Sequence, residues 1–436
     1  MDRCSTFRMS VGWVLTSSFI ASPLNQKNWQ WYAVLIGIAP LHSAPRSSRK
    51  FSTNRVAMKT SNLRIVRSLR EAIGRTPLYR TKYLSKNSSV EIYLKLEFLN
   101  PGGSIKDRTA LGMIDQAEQD GRLRSNSRII ESSSGNTAIG LAMLAKSSGY
   151  HVTAVCDRHL PATKKARLLA FGADTVFLPD TPPGMDTVEL RIAIAKHLAD
   201  AIPDGVSLGQ YSDPANPAIH RKTTGPEILD ALDGRVTAVI AAVGTCGTIC
   251  GIGQAMKAYN PAIRIIGVEP IGSIIFGGED AMYHIQGGGL SFIPSILDRS
   301  VIDSGIKVSD ASAISAVHSF GKSEGLMVGG TGGLVLKALA DLSEQSPDAS
   351  VLVGIIPDAG DRYLDTLFDS DWLRHHHFSD LTLMPTSGDP LNDAVTDLGC
   401  SLNEIPSTRG PALDDLCSRL SVRVPAVVGK FLSASA

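Results

Sequence analysis

From Ile92 to Ile356 the chain alternates short β-branched runs with stretches of helical spacing, and this alternation is what most limits its fold. The runs are Ile92–Glu97, Ser127–Glu131, His151–Cys156, Asp174–Leu178, Thr237–Val243, Ile263–Val268 and Val351–Ile356. Between them lie Thr109–Gln119, Asn136–Ser147, Ala162–Phe171, Met185–Ala201, Pro226–Leu232, Thr248–Tyr259 and Ala311–Glu324, all with helical patterning. Continuous apolar runs joined by helical crossovers mark parallel strands buried on both faces. The pattern predicts an α/β protein of parallel sheets with helices on both sides, and 436 residues leave room for two to three domains.

Within that frame, Asn100-Pro101-Gly102-Gly103-Ser104-Ile105-Lys106-Asp107-Arg108 turns from a strand into a helix. Proline fixes one dihedral and glycine admits positive φ, so Asn-Pro-Gly-Gly makes the turn. Ser104 and Asp107 have capping-box spacing, which puts Lys106 in the first helical turn. A lone lysine is usually a solvated surface residue. One held at a positive helix terminus and buried deprotonates more easily and can attack a carbonyl to form a Schiff base.

Glu131-Ser132-Ser133-Ser134-Gly135-Asn136-Thr137 brings hydroxyls, an amide and free N–H groups to a second helix start, which suits a carboxylate. One or two of these would serve as an N-cap; five polar residues in a row exceed that need. Gly244-Thr245-Cys246-Gly247-Thr248 is again strand, glycine-rich loop and helix, and suits a phosphate. It lacks the Lys-Ser/Thr ending of a P-loop. A dinucleotide site is the competing reading, with Gly251, Gly253 and Glu269 in the ribose-binding position, but the spacing is not G-x-G-x-x-G. Cys246 and Cys250 read as packed thiols one turn apart. Gln210–Pro217, Thr223–Glu227, Gln286–Gly289, Gly329–Gly333 and Pro357–Tyr363 read as turn-rich loops, where binding residues often lie.

Net charge is +1 and gives no case for a nucleic-acid partner, and the apolar run Trp31 to Leu41 is too short to span a bilayer. The cysteines Cys4, Cys156, Cys246, Cys250, Cys400 and Cys417 include no C-x-x-C pair, which suits a reducing compartment and no metal. The first seventy residues hold one acid, Asp2, against eleven Lys or Arg. They read as a mitochondrial transit peptide or as dispensable residues upstream of a start at Met58, with a secretory signal the weaker alternative, so the location is cytoplasmic or mitochondrial. Residues 1–62 are an extension, 63–374 the catalytic region with its smaller domain near 100–215, and 375–436 an appendage. In the appendage Ala412–Leu420 is a weak helix candidate and His375-His376-His377 a solvated run.

Together these stretches resemble the pyridoxal-phosphate enzymes of the cysteine synthase and cystathionine β-synthase family. N-P-G-G-S-I-K-D-R, S-S-G-N-T, the Gly-Thr loop, Q-Y-x-x-P-A-N-P and T-T-G-P-E-I occur in the family's order between about Ile73 and Leu373. The resemblance implies a two-domain, fold-type-II (tryptophan synthase β-like) architecture with pyridoxal 5'-phosphate in the cleft between domains, and commonly a homodimer. It implies that Lys106 is the Schiff-base lysine and moves the α-proton, and that Asn136 meets the cofactor's ring hydroxyl. Gly244, Thr245, Cys246, Gly247 and Thr248 would hold its phosphate, and Thr331 is the nearest hydroxyl for the pyridine nitrogen. Ser133, Ser134, Thr137 and Gln210 would hold the substrate carboxylate. The chain departs from the plain cysteine synthase pattern at Ser132-Ser133, where Pro-Thr is usual, at Cys246, where glycine is usual, and at Gly332, where some members carry serine.

Gly272–Gly277, Gly360–Asp365 and Asp371–Leu373 look most like the branch that joins O-phospho-L-serine to L-glutamate, making N-(2-amino-2-carboxyethyl)-L-glutamate on the way to 2,3-diaminopropionate. The alternatives are cysteine synthesis from sulfide and O-acetyl- or O-phosphoserine, and a non-catalytic cofactor-binding partner in a biosynthetic complex.

Overall fold

The computed structural model describes residues 65–378, apart from 85–88, 159 and 182–185. The transit-peptide reading, the Trp31–Leu41 run and the Ala412–Leu420 candidate lie outside these residues. Two sheets carry the chain. The larger has six strands: β1 (Leu78–Thr81), β2 (Glu91–Leu96), β7 (Ala238–Ala242), β8 (Arg264–Pro270), β9 (Ser304–Val308) and β10 (Val351–Ile356). Their spatial order is β1-β2-β10-β7-β8-β9. β1 pairs antiparallel with β2, and the other neighbours are parallel. The smaller sheet runs β5-β4-β3-β6 and is wholly parallel. Its strands are β3 (Arg128–Ser132), β4 (His151–Cys156), β5 (Asp174–Phe177) and β6 (Gly205–Val206).

Alternation along each strand divides the core. On the larger sheet Ile92, Leu94, Leu96, Leu352 and Ile356 face the helices Asp310–Glu324 and Gly330–Gln345. Val351, Val353, Ile355, Val239 and Ala241 face the opposite way, toward Thr224–Ala231 and Gly247–Tyr259. On the smaller sheet Ile129, Val152, Ala154 and Cys156 pack with the helices Lys106–Gln119 and Asn136–Ser148. Ile130 and Val155 pack with Thr187–Ala201. Burial on both faces is why these strands read as unbroken apolar runs.

Several sequence expectations change. Ser104 and Asp107 do not form a capping box. The N-cap position is Ile105, and the Asp107 carboxylate instead accepts from Gly102 N at 2.6 Å, closing the glycine turn over the helix start. The Gly329–Gly333 stretch is no loop beyond its first residue, because Gly330–Gln345 is a sixteen-residue helix. Gln210–Pro217 and Thr223–Glu227 likewise run into the helices Ala215–Lys222 and Thr224–Ala231. His375 and His377 are exposed as expected, but the His376 ring packs on Trp372 with centroids 4.4 Å apart and on His284 at the same spacing. Among the described residues no helix is long and apolar enough to cross a membrane, and no group of His, Cys, Asp or Glu has metal-site geometry.

Candidate active site

Parallel strands deliver their C-terminal ends, and the helix starts that follow, to one side of a sheet. In this chain the two sheets bring those ends to a shared cleft of about 550 Å³. Lys106, Ser133, Ser134, Asn136, Thr137, Gln210, Gly244, Thr245, Cys246, Thr248 and Thr331 all line it. Gly247 does not: it opens its helix behind the loop, where a Cβ would lie 2.1 Å from Asn216 Oδ1.

Lys106 is the first residue of its helix, and Ile105 N donates to Pro357 O at 2.9 Å just past β10. The amine Nζ lies 3.3 Å from Thr245 Oγ1. Burial brings its pKa down to about 8, against the opposing pull of Cys246 and Asp358. A buried amine that sheds its proton near neutrality is a nucleophile and a base.

The loop Gly244–Cys246 ends at the start of the helix Gly247–Tyr259. Cys246 sits at φ 66, a left-handed conformation that suits glycine and costs a branched-off Cβ about 1 kcal/mol. That explains why glycine is usual there. Burial pushes its thiol far up, so it is an inert packed group, as is Cys250. Asn216 braces the loop: its Nδ2 donates to Gln210 O at 2.8 Å and to Thr245 Oγ1 at 3.2 Å, and its Oδ1 accepts from Thr109 at 3.1 Å. His220 is buried, bonds Thr224 at 2.9 Å and approaches Thr248 at 3.4 Å; burial keeps it neutral.

The second helix start is furnished differently from its sequence reading. Ser133 Oγ accepts from Gly135 N and Ala138 N, both at 3.3 Å, so it caps the helix. Ser134 Oγ donates to Asp157 at 2.6 Å and accepts from Arg191 at 3.0 Å. Thr137 Oγ1 donates to Gln210 Oε1 at 2.7 Å, and Gln210 Nε2 donates to Ser132 O at 2.9 Å. With these hydroxyls engaged, and Gly135 N and Ala138 N taken by Ser133 Oγ, the N–H groups of Asn136 and Thr137 are left to face an anion.

The loop Pro357–Tyr363 brings three further residues, Asp358, Arg362 and Tyr363, whose individual roles the local sequence does not specify. Asp358 is buried, and its Oδ2 accepts from Asn136 Nδ2 at 2.7 Å and Tyr363 OH at 2.8 Å. Its Oδ1 is buried with no hydrogen-bond partner, and burial raises the carboxyl's pKa. Arg362 holds Asn136 from the other side. An acid, an arginine and a tyrosine in one loop after a core strand were the available signal.

The dinucleotide reading fails at Glu269. This carboxylate is fully buried, pairs with Lys307 at 2.8 Å, and accepts from Ile275 N and Phe276 N at 3.1 Å, so it offers nothing to a ribose.

The profile of the family described as "Pyridoxal-phosphate dependent enzyme" matches residues 69–358. The chain belongs to that family. A pyridoxal-phosphate enzyme of this kind is 40% identical over 308 residues to a "Probable cysteine synthase" of Bacillus subtilis (strain 168), covering 70% of this chain and 98% of the relative. It is 38% identical over 322 residues to a "Cystathionine beta-synthase" of Apis mellifera, covering 72% of this chain but spanning only 64% of that relative's length. Among solved structures, O-ureido-L-serine synthase matches with TM-score 0.66 and 34% identity over 71% of this chain and all of that one. An O-acetylserine dependent cystathionine beta-synthase from Helicobacter pylori matches with TM-score 0.65 and 35% identity, covering 70% and 99%.

The cleft fits the cofactor. It offers a depressed lysine amine, a helix N-terminus behind a loop, and a close approach in which a Cβ at Gly244 would lie 2.8 Å from Gly287 O. These match an aldehyde, a phosphate and a flat ring. Thr331, in the first turn of its helix, lines the same wall.

Proposed function

We propose that this pyridoxal-phosphate enzyme replaces the β-substituent of an activated L-serine, and that its substrates are O-phospho-L-serine and L-glutamate, giving N-(2-amino-2-carboxyethyl)-L-glutamate and phosphate. The observation that carries the reading is Lys106: a buried amine with pKa about 8, at a helix start, in a cleft with a second helix start opposite.

When bound, the cofactor supplies an electron sink for charge that develops at the substrate Cα. The rest is the work of this chain. The Ser133–Thr137 helix start and Gln210 take the α-carboxylate and hold the Cα–H toward Lys106. Lys106 Nζ, uncharged above about pH 8, takes that proton; Thr245 Oγ1 steadies the amine. Gly244–Thr248 would anchor the phosphate, Asn136 the ring hydroxyl, and Thr331 the ring nitrogen. Leaving-group departure from Cβ then opens that carbon to the second substrate.

Charge supports an anionic pair of substrates taken together: Lys106, Lys164, Arg167, Arg191 and Arg362 line the cleft against Asp157, Asp358 and Asp361. Cysteine synthesis is the second reading, favoured by the 40% identity to the probable cysteine synthase. The deciding experiment is phosphate release from O-phospho-L-serine with L-glutamate or sulfide, recording product mass. An amine adduct with glutamate supports the first reading; cysteine from sulfide alone moves the enzyme to the second.

A further inference from the structure

We propose that Lys164 and Arg167, on the helix Ala162–Ala170, form the site that receives the carboxylate of the incoming second substrate. The inference rests on the β-replacement reading above and adds to it the residues that seat the nucleophile, an anionic amino acid.

The two residues are one turn apart and project from one helix face into the cleft. Among the described residues Lys164 has no ion-pair partner. Its ammonium rests on the neutral amide of Gln286 and lies 5.9 Å from the centre of the Tyr363 ring. Arg167 reaches Asp361 only at 3.7 Å, a long contact whose two side chains are 31% and 63% exposed. Lys164 thus has no carboxylate within ion-pair distance among the described residues, and Arg167 has only this long one. Burial lowers the pKa of both; Asp358, Asp365 and Asp157 at Lys164, and Asp361 and Asp358 at Arg167, pull the other way, while Arg362 repels each. The helix start beside them has Pro161 at the N-cap and no side-chain cap bond, and Leu160, Pro161 and Thr163 also line the cleft. Lys164, hydrogen-bonded to Gln286, and Arg167, with one long contact to Asp361, keep N–H donors for an arriving carboxylate.

Position separates this anion from the others. The Gly244–Thr248 loop is the proposed seat of the cofactor phosphate, and Ser133–Thr137 that of the first substrate's carboxylate. Arg191 is committed to Asp157 at 2.7 Å. Lys164 and Arg167 belong to the rim, where Arg167 is partly open to solvent and the molecule that enters last must pass. A phosphate leaving group shares the same anionic chemistry, so the test carries an arm for each source.

The test is calorimetric titration of the cofactor-loaded protein with L-glutamate and, separately, with inorganic phosphate. The proteins compared are wild type, Lys164→Met, Arg167→Met and Lys164→Arg. The expected result is at least tenfold weaker glutamate binding in Lys164→Met and Arg167→Met, recovery in Lys164→Arg, and a smaller change for phosphate. No glutamate binding by the wild type, equal affinity in all four proteins, or an effect confined to phosphate would overturn the proposal. Phosphate release from O-phospho-L-serine is assayed alongside. If the wild type binds glutamate through Lys164 but releases no phosphate, the anion site stands and the choice of donor falls.

Discussion

Arg362 donates one guanidinium N–H to the amide oxygen of Asn136 at 2.6 Å and another to Gly102 O at 2.6 Å. One side chain from the loop after β10 thus fixes both the residue proposed to meet the cofactor ring and the turn that leads to Lys106. Charged hydrogen bonds of this kind contribute about 1.5–3 kcal/mol each. Arg362→Met is expected to lower kcat/KM by about tenfold to a hundredfold, since each 1.4 kcal/mol is about a factor of ten. Gly103→Ala should act in the same direction, because Gly103 lies at φ 81 and its Cβ would meet the Arg362 guanidinium. Steady-state kinetics on both variants check this.

Lys106 gives a pH test that needs no substrate. Its folded pKa, about 8, lies below the ordinary 10.5, so the folded protein binds fewer protons there than the unfolded chain. Burying the cation costs stability in full below pH 8, and the cost fades as pH rises toward 10.5. Lys106→Met in the cofactor-free protein should therefore melt above wild type at pH 7. The gap should narrow by at most about 1.4 kcal/mol per pH unit on the way to pH 10. The same variant, loaded with cofactor, should lose turnover.

Glu131 shows the opposite sign. It is buried at the end of β3, accepts from Gly209 N at 2.9 Å and Gln210 N at 3.3 Å, and burial raises its pKa to about 7. The folded state holds a proton that the unfolded chain releases near 4.5, so stability is lost as pH rises from 4.5 to 7 and the loss is complete above that. Glu131→Gln removes the titration. Its melting temperature relative to wild type should climb across that interval and level off above pH 7.

Glu227 anchors the buried charge cluster behind the Lys106 helix. It pairs with Arg108 and Lys95, each at 2.7 Å and each 1% exposed, and its pKa falls to about 2 despite desolvation. Glu227→Ala leaves two buried cations short of a partner and should lower unfolding free energy by about 3–5 kcal/mol in urea titrations. In wild type the contribution is present above pH 4.5 and is lost as pH falls toward 2.

What could be read in the sequence was what is local. The strand-to-helix turns at Lys106, Asn136 and Gly247 announce themselves within seven residues, because turn residues, caps and apolar periodicity are short-range. The edge strands β1 and β9 escaped notice: Leu78–Thr81 is polar in its second half, and Ser304–Val308 is short and half exposed. The helix Gly330–Gln345 was hidden by glycines that packing demands. A Cβ at Gly333 would lie 2.4 Å from Ala313 O, so low propensity is traded for close approach. The Asn136–Asp358–Arg362 cluster joins residues more than two hundred positions apart. Nothing local in either segment specifies such a pairing.

The attachment of Ile105 to Pro357 bears on movement. The Lys106 helix packs in the core of the smaller sheet, while its first residues are stitched by backbone to the end of β10 in the larger one. Lys106 therefore sits beside a point where the two sheets are joined. Were the two sheets to swing, points near that join would travel least and points on the rim most. Substrates could enter and products leave by displacing Lys164, Gln286 and their neighbours, while the amine that handles the proton kept its place.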